Sequence, residues 1–192
     1  MNRRLFCSRL AILGGAALLP TAAAASTSPD ATGVPAWVGR YVPDARAAGE
    51  GDLRWYGLRV YTARLWASGG RIAPERFADQ PFALDLRYAV ALEGAKIAER
   101  SAQEIERMGF GDPSRRGRWQ EAMKRAFPDV ARGDRLTGVN APGRGARFYH
   151  NDRAVGTVDD PEFAAAFFAI WLDPRTVAPA LRDALVRGGA RG

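Results

Sequence analysis

The sequence predicts one α+β domain, an antiparallel sheet with helices gathered on one side, and three observations carry that prediction. The first is an alternation over residues 82–90, where Phe82, Leu84, Leu86, Tyr88 and Val90 face one way and Asp85 and Arg87 the other. A strand with one buried and one wet face reads in this way. The second is helical periodicity in the next two segments. Ile97, Ser101, Ile105 and Met108 share a helix face, and Trp119, Ala122, Met123, Ala126 and Phe127 share another, so both helices are amphipathic and lie on a sheet. The third is residues 127–176, where short strand-like segments, glycine-marked turns and an apolar helix follow one another. A chain of 192 residues that is 47% hydrophobic and 26% charged holds one core of this kind.

Taken in order, the chain opens on a basic stretch with Arg3, Arg4 and Arg9, an apolar run over residues 10–19 and small residues to Ala25. This is the pattern of a secretory signal, with an apolar run too short for a membrane span. Cleavage is expected near Ala24 to Ser26, leaving a periplasmic or secreted protein without a transmembrane span. Arg3-Arg4 before Leu5-Phe6 fits a twin-arginine signal as well as the general secretory route. Loss of the leader lowers the formal charge of +7 by three. The remaining arginines are scattered among acids, so a solvated surface is expected and no nucleic acid partner. Cys7 is the one cysteine and leaves with the leader, which excludes disulfides, thiolate catalysis and cysteine metal sites in the mature chain.

Residues 26–48 read as a partly disordered lead-in, the domain as residues 49–187, and residues 188–192 as a flexible tail. Gly49, Gly51 and Asp52 suggest a turn. Residues 53–66 follow as strand-like sequence that Gly57 would bend, by hairpin or bulge. In its second half Arg59, Tyr61, Ala63 and Leu65 fall on one face, and Val60, Thr62, Arg64 and Trp66 on the other. Pro128 stops the second helix. Strands are expected at residues 135–139, 146–150 and 153–157, with Gly133, Gly138, Gly143, Gly145 and Gly156 where strands turn. Asp160-Pro161 opens a helix by side-chain capping with proline at its first position. From Phe163 to Leu172 that helix is apolar almost all round and must be covered on several sides. Pro174 ends it, and Pro179 starts a last helix with Leu181, Ala184 and Leu185 inward.

Familiar site constellations are missing. The sequence has no phosphate loop with a following Lys-Ser/Thr, no GxSxG, no HExxH and no CxxC. His150 is the single histidine, too few for a zinc site. It reads as a hydrogen-bonded turn residue, with one-sided haem ligation as an outside alternative. No metal and no cofactor is expected. Asp129, Asp134, Asp159, Asp160 and Asp173 read as turn or cap residues. Arg132, Arg135, Arg144 and Arg147 could receive an anion, although most sit beside glycine turns where exposed arginine is ordinary. What remains is an apolar sheet face roofed by helices and the aromatics Trp55, Tyr61, Trp66, Phe167, Phe168 and Trp171. They are either solid core or the wall of a small-molecule pocket.

The segments YGLRVYTARLW, PFALDLRYAVALEG, AERSAQEIERMG, FPDVARGDRLTG, PGRGARFYHN, DDPEFAAAFFAIWLD and VAPALRDAL together resemble the bacterial chalcone isomerase-like family over residues 49–186. The resemblance implies an open-faced β-sandwich, a large antiparallel sheet layered by helices on one side, with a ligand cleft between the two. It also shows departures from the plant enzyme. The enzyme's ligand-holding arginine falls at Gly51, with Arg54 and Arg59 nearby, and its strand threonine falls at Tyr61, as in the non-catalytic fatty-acid-binding branch. Its helical tyrosine falls near Ile97, and its later helical threonine at Ile170. Isoleucine neither orients a water nor stabilises an oxyanion, so catalytic residues stay unassigned. The resemblance therefore implies a non-catalytic binder of a small apolar ligand such as a fatty acid. Tyr61 would donate to the head group, Arg59 or Arg54 would supply charge, and Phe167, Ile170 and Trp171 would line the wall. Chalcone-type intramolecular lyase activity and a partner-binding domain without ligand are the alternatives.

Overall fold

The computed structural model describes residues 34, 35 and 37–187. The expected signal segment, the first part of the lead-in and the tail lie outside the described residues. Six strands form one antiparallel sheet in sequence order: β1 (Ala45–Trp55), β2 (Leu58–Ser68), β3 (Phe82–Tyr88), β4 (Arg135–Ala141), β5 (Gly145–His150) and β6 (Arg153–Val158). Between β3 and β4 come α1 (Gly94–Arg107) and α2 (Pro113–Ala126), and α3 (Pro161–Leu172) and α4 (Pro179–Arg187) close the chain.

Register sets the helix-side face. Tyr61 lies opposite Tyr88, Ala63 opposite Leu86, Leu65 opposite Leu84 and Ala67 opposite Phe82. The row continues through Leu84 opposite Gly138 and Gly138 opposite Phe148. These residues and the inner faces of the four helices form the main core. Helix α3 lies at its centre. Asp160 caps it by accepting from Glu162 N and Phe163 N, and its other oxygen takes the indole N–H of Trp119 at 2.8 Å, tying α2 to the start of α3. Phe163, Phe167, Phe168, Trp171 and Leu172 are all buried, as a helix apolar on every side requires. Asp129 accepts from Gly94 N at the start of α1, Asp134 from Ala131 N and Asp173 from Arg175 N, so these carboxylates do hold turns and helix ends.

The structure differs from the sequence reading in four places. Gly49 and Gly51 are inside β1, where α4 crosses so closely that a Cβ on Gly49 would lie 2.2 Å from the Ala184 carbonyl oxygen. Gly138 and Gly156 likewise sit within β4 and β6, under Phe168 and Ala126. These glycines admit a helix; Gly133, Gly143 and Gly145, all at positive φ, make the turns. The second sheet face is not simply wet. Val38 and Val42 pack on Trp66, Ala83 and Val139, and Trp37 stacks on Tyr149 at 3.9 Å while donating to Asp152. The later part of the expected lead-in thus covers part of this face and runs into β1. Asp85, expected in solvent, is 8% exposed, paired with Arg135 at 2.9 Å and accepting from Thr137 at 2.8 Å. Of the six aromatics placed near the helix roof, Trp66 belongs to this second layer and Trp55 is exposed.

Candidate functional site

The candidate site begins at an irregularity in β2. Its pairing with β1 passes from Leu53 opposite Tyr61 to Arg54 opposite Arg59, so Val60 is an extra residue. A bulge of this kind reverses the alternation beyond it. Val60 and Tyr61 both pack on the helix side, and Arg59 is turned away. The sequence reading put Arg59 and Tyr61 on one face; the bulge separates them.

On the helix side, Tyr61 is 8% exposed and Trp171 7%. The Trp171 indole N–H donates to the Tyr61 hydroxyl oxygen at 2.9 Å. Phe167 meets Trp171 edge to face at 5.3 Å, and Tyr88 meets Tyr61 at 5.7 Å. Because Trp171 can only donate, the hydroxyl hydrogen of Tyr61 is free for another acceptor. Among the described residues neither it nor the Tyr88 hydroxyl makes a further hydrogen bond. Tyr61 and Tyr88 thus meet edge to face in the main core, against which the half-buried Ile97 of α1 and Ile170 of α3 also pack. Sequence reasoning missed Tyr88 as a site residue. Its alternation showed that it pointed inward, but its pairing with Tyr61 depends on sheet register.

Burial pushes the Tyr61 phenol up to about 12 from 10.0, the Trp171 hydrogen bond offsetting part of the rise. Burial raises Tyr88 further, reinforced by Tyr61. Both are neutral at ordinary pH and act as donors, not bases. The folded state holds these protons more tightly than the unfolded chain, so the stability linked to them is complete below pH 10 and is lost as pH rises through the folded values. Denaturant titrations above pH 10 are expected to show stability falling by up to about 1.4 kcal/mol per pH unit per tyrosine. Tyr88→Phe should shallow that slope; an unchanged slope would refute the assignment.

On the other face, Arg54 donates to Gly57 O at 3.2 Å and pairs with Asp52 at 3.1 Å. Asp52 also accepts from Thr62 at 2.7 Å, and Arg59 approaches it at 3.9 Å. The Thr62 hydrogen bond, chiefly, holds the Asp52 carboxyl below the usual carboxylate range against its slight burial, with Arg59 and Arg54 adding to the effect. A cleft of about 360 Å³ opens beside this group, lined by Arg59, Thr62, Arg87, Tyr88, Ala89, Arg132 and Gly133. The structure thus brings Tyr61, Phe167 and Trp171 together with Ile170 adjoining, and sets Arg54 and Arg59 elsewhere. Gly51, where the resemblance places the enzyme's arginine, has no room for a side chain, since a Cβ there would lie 2.8 Å from Ala184 Cβ and 3.0 Å from Leu181 Cδ1. His150 contacts Asp134 at 3.2 Å through Nε2, consistent with its reading as a turn residue. Among the described residues no group of three or more His, Cys, Asp or Glu could hold a metal ion. No described helix is long and apolar enough to cross a membrane.

No curated protein matches the sequence. Among solved structures, a fatty-acid-binding protein of Arabidopsis thaliana superposes with a TM-score of 0.57 at 13% identity, over 77% of this chain and 89% of that one. At that identity the likeness establishes the fold, an open antiparallel sheet layered by helices. The family model described as chalcone isomerase-like matches residues 49–186, the span from the glycine of β1 that admits α4 to the last turn of α4 itself. The chain therefore belongs to the chalcone isomerase-like family.

Proposed function

We propose that this chain is an exported, non-catalytic binder of a small apolar molecule with an oxygen head group, a fatty acid or similar carboxylate. The observation that carries the reading is the buried Tyr61 phenol on the helix side of the sheet, whose oxygen accepts from the Trp171 indole while its own hydrogen finds no acceptor among the described residues, with the Tyr88 ring edge to face against it. A buried donor left unmade is costly, and a carboxylate oxygen beside the Tyr61 hydroxyl would satisfy it. The half-buried Ile97 of α1 and Ile170 of α3 would flank the ligand's entry, and Phe167 and Trp171 would form the wall. Arg54 and Arg59 lie on the opposite face beside Asp52 and take no part in holding the head group. Two neutral phenols in an apolar setting suit binding better than proton transfer, because a general base must lose its proton near working pH. The signal-like residues 1–25 support export.

The test is native mass spectrometry after mild extraction, followed by titration with a long-chain fatty acid. Bound or titratable lipid is expected, with Tyr61→Phe weakening affinity about tenfold or more, the value of one hydrogen bond to a charged group. Absence of any retained or titratable lipid would leave a domain without a ligand. Rapid cyclisation of a chalcone, abolished in Tyr61→Phe, would make the chain an intramolecular lyase instead.

A further inference from the structure

The β1–β2 hairpin runs past the end of the sheet. Strand β2 pairs with β3 from Tyr61 onward, with Val60 O still accepting from Ala89 N, so residues 55–59 overhang, with Trp55 60% exposed, Tyr56 92% and Leu58 72%. The rings of Trp55 and Tyr56 meet edge to face at 5.4 Å. The turn is made by Tyr56 at φ 47 and Gly57 at φ 81. A two-residue turn with positive φ at both positions favours Asn-Gly, and a bulky aromatic there is an unfavourable choice for folding alone. A side chain that weakens its own turn and buries almost nothing calls for a role outside the fold.

Directly behind the tip is the cleft lined by Arg59, Arg87 and Arg132, and no carboxylate lines it. Arg87 and Arg132 have no ion-pair partner among the described residues. Arg59 comes no closer than 3.9 Å to Asp52, which is already held by Thr62 and Arg54. Asp134, the acid of the neighbouring turn, is occupied by Ala131 N, Asn151 and His150. Aromatic and aliphatic groups at the point with unneutralised guanidinium groups one step behind match the depth profile of a lipid surface, where acyl chains lie beneath a layer of phosphates. A protein partner fits less well, since three apolar side chains fall far short of the roughly 20–30 residues a side of a standard interface. We propose that this hairpin docks the chain on an anionic lipid surface. Trp55, Tyr56 and Leu58 enter the boundary between headgroups and acyl chains, and Arg59, Arg87 and Arg132 hold lipid phosphates. The inference does not depend on the tyrosine site: Tyr88 lines both the cleft and the helix-side layer, but the groups invoked here are the hairpin tip and the three arginines.

Vesicle sedimentation of the full chain tests it, with phosphatidylcholine alone against phosphatidylcholine mixed with phosphatidylglycerol. The apolar run of residues 10–19 is common to every variant, so differences between variants carry the result. Tyr56→Asn places the favoured residue in the turn; it is expected to keep or raise Tm while lowering binding to the anionic vesicles tenfold or more. The double variant Arg87→Gln/Arg132→Gln is expected to lose a similar factor on anionic vesicles, to flatten the salt dependence and to leave the weak binding to phosphatidylcholine unchanged. Full-strength anionic-vesicle binding in either variant, or equal binding of the wild type to both vesicle types, overturns the proposal. Two other outcomes do so as well. Self-association without lipid, abolished by Tyr56→Asn, assigns the tip to a second copy of this chain. Inorganic phosphate that occupies the arginine cleft without weakening vesicle binding assigns the cleft to a free anion.

Discussion

Phe168→Ala is expected to remove about 3–5 kcal/mol of stability, read as a lowered midpoint in urea denaturation with an unchanged slope. Phe168 is fully buried at the centre of α3. Its ring meets Phe82 at 4.8 Å and Phe167 at 5.2 Å, both edge to face, and lies over Gly138, where a Cβ would be 3.0 Å from its Cε1. The size of the effect follows from how little the surroundings can relax. Gly138 has no side chain to swing into the space. Helix α3 cannot sink toward β4, because Asp160 and Trp119 hold its first turn and Arg182 donates to Leu172 O at 2.7 Å at its last. The cavity therefore stays open, and the cavity cost adds to the lost transfer free energy. A domain of this size has only about 5–15 kcal/mol in total, so the variant should be unfolded in a substantial fraction of molecules near its working temperature. A loss below about 1 kcal/mol would mean that α3 is not seated on β4 in this way.

The second large effect is expected for a smaller change. Gly49→Ala adds one methyl group, yet that methyl would lie 2.2 Å from Ala184 O, 2.4 Å from Leu185 O and 2.7 Å from the Leu185 carbonyl carbon. All three are backbone atoms, so no rotamer change relieves the overlap, and α4 must lift from β1. Overpacking against side chains costs about 1–3 kcal/mol; here the undocking of Leu181 and Leu185, both buried, puts the expected loss at or above the top of that range. Amide hydrogen exchange separates local from global loss. Protection should fall first in α4 and along β1, and later in β3 to β5. Uniform loss, or none, would contradict the close approach of α4.

Gly49 also shows what could be read from the sequence. A glycine pair followed by aspartate has the composition of a turn, and local sequence carries no sign that a helix more than 130 residues later will cross that spot. Gly138 and Gly156 were opaque for the same reason. The bulge at Val60 was equally hidden, because it is a property of pairing with β1. It separates Arg59 from Tyr61, and with them the expected charge from the expected hydroxyl. Tyr88 looked like one more inward strand residue until register set it against Tyr61. The alternation of β3 and the amphipathic spacing of α1 and α2 were legible, and so were the cap and apolar length of α3, since each reports a choice made within a few residues of itself.

By itself the sequence determined the class of fold, the elements from β3 onward and the buried faces of α1, α2 and α3, because those follow from periodicity, capping and turn chemistry acting over short distances. Tertiary structure alone decided which residues meet: Trp171 with Tyr61, Asp85 with Arg135, Trp37 with Tyr149, and three arginines behind an exposed aromatic turn. The physical reason is that a contact between distant residues is set by sheet register and helix docking. Both depend on the whole chain folding at once, and a shift of a single residue sends a side chain to the opposite face.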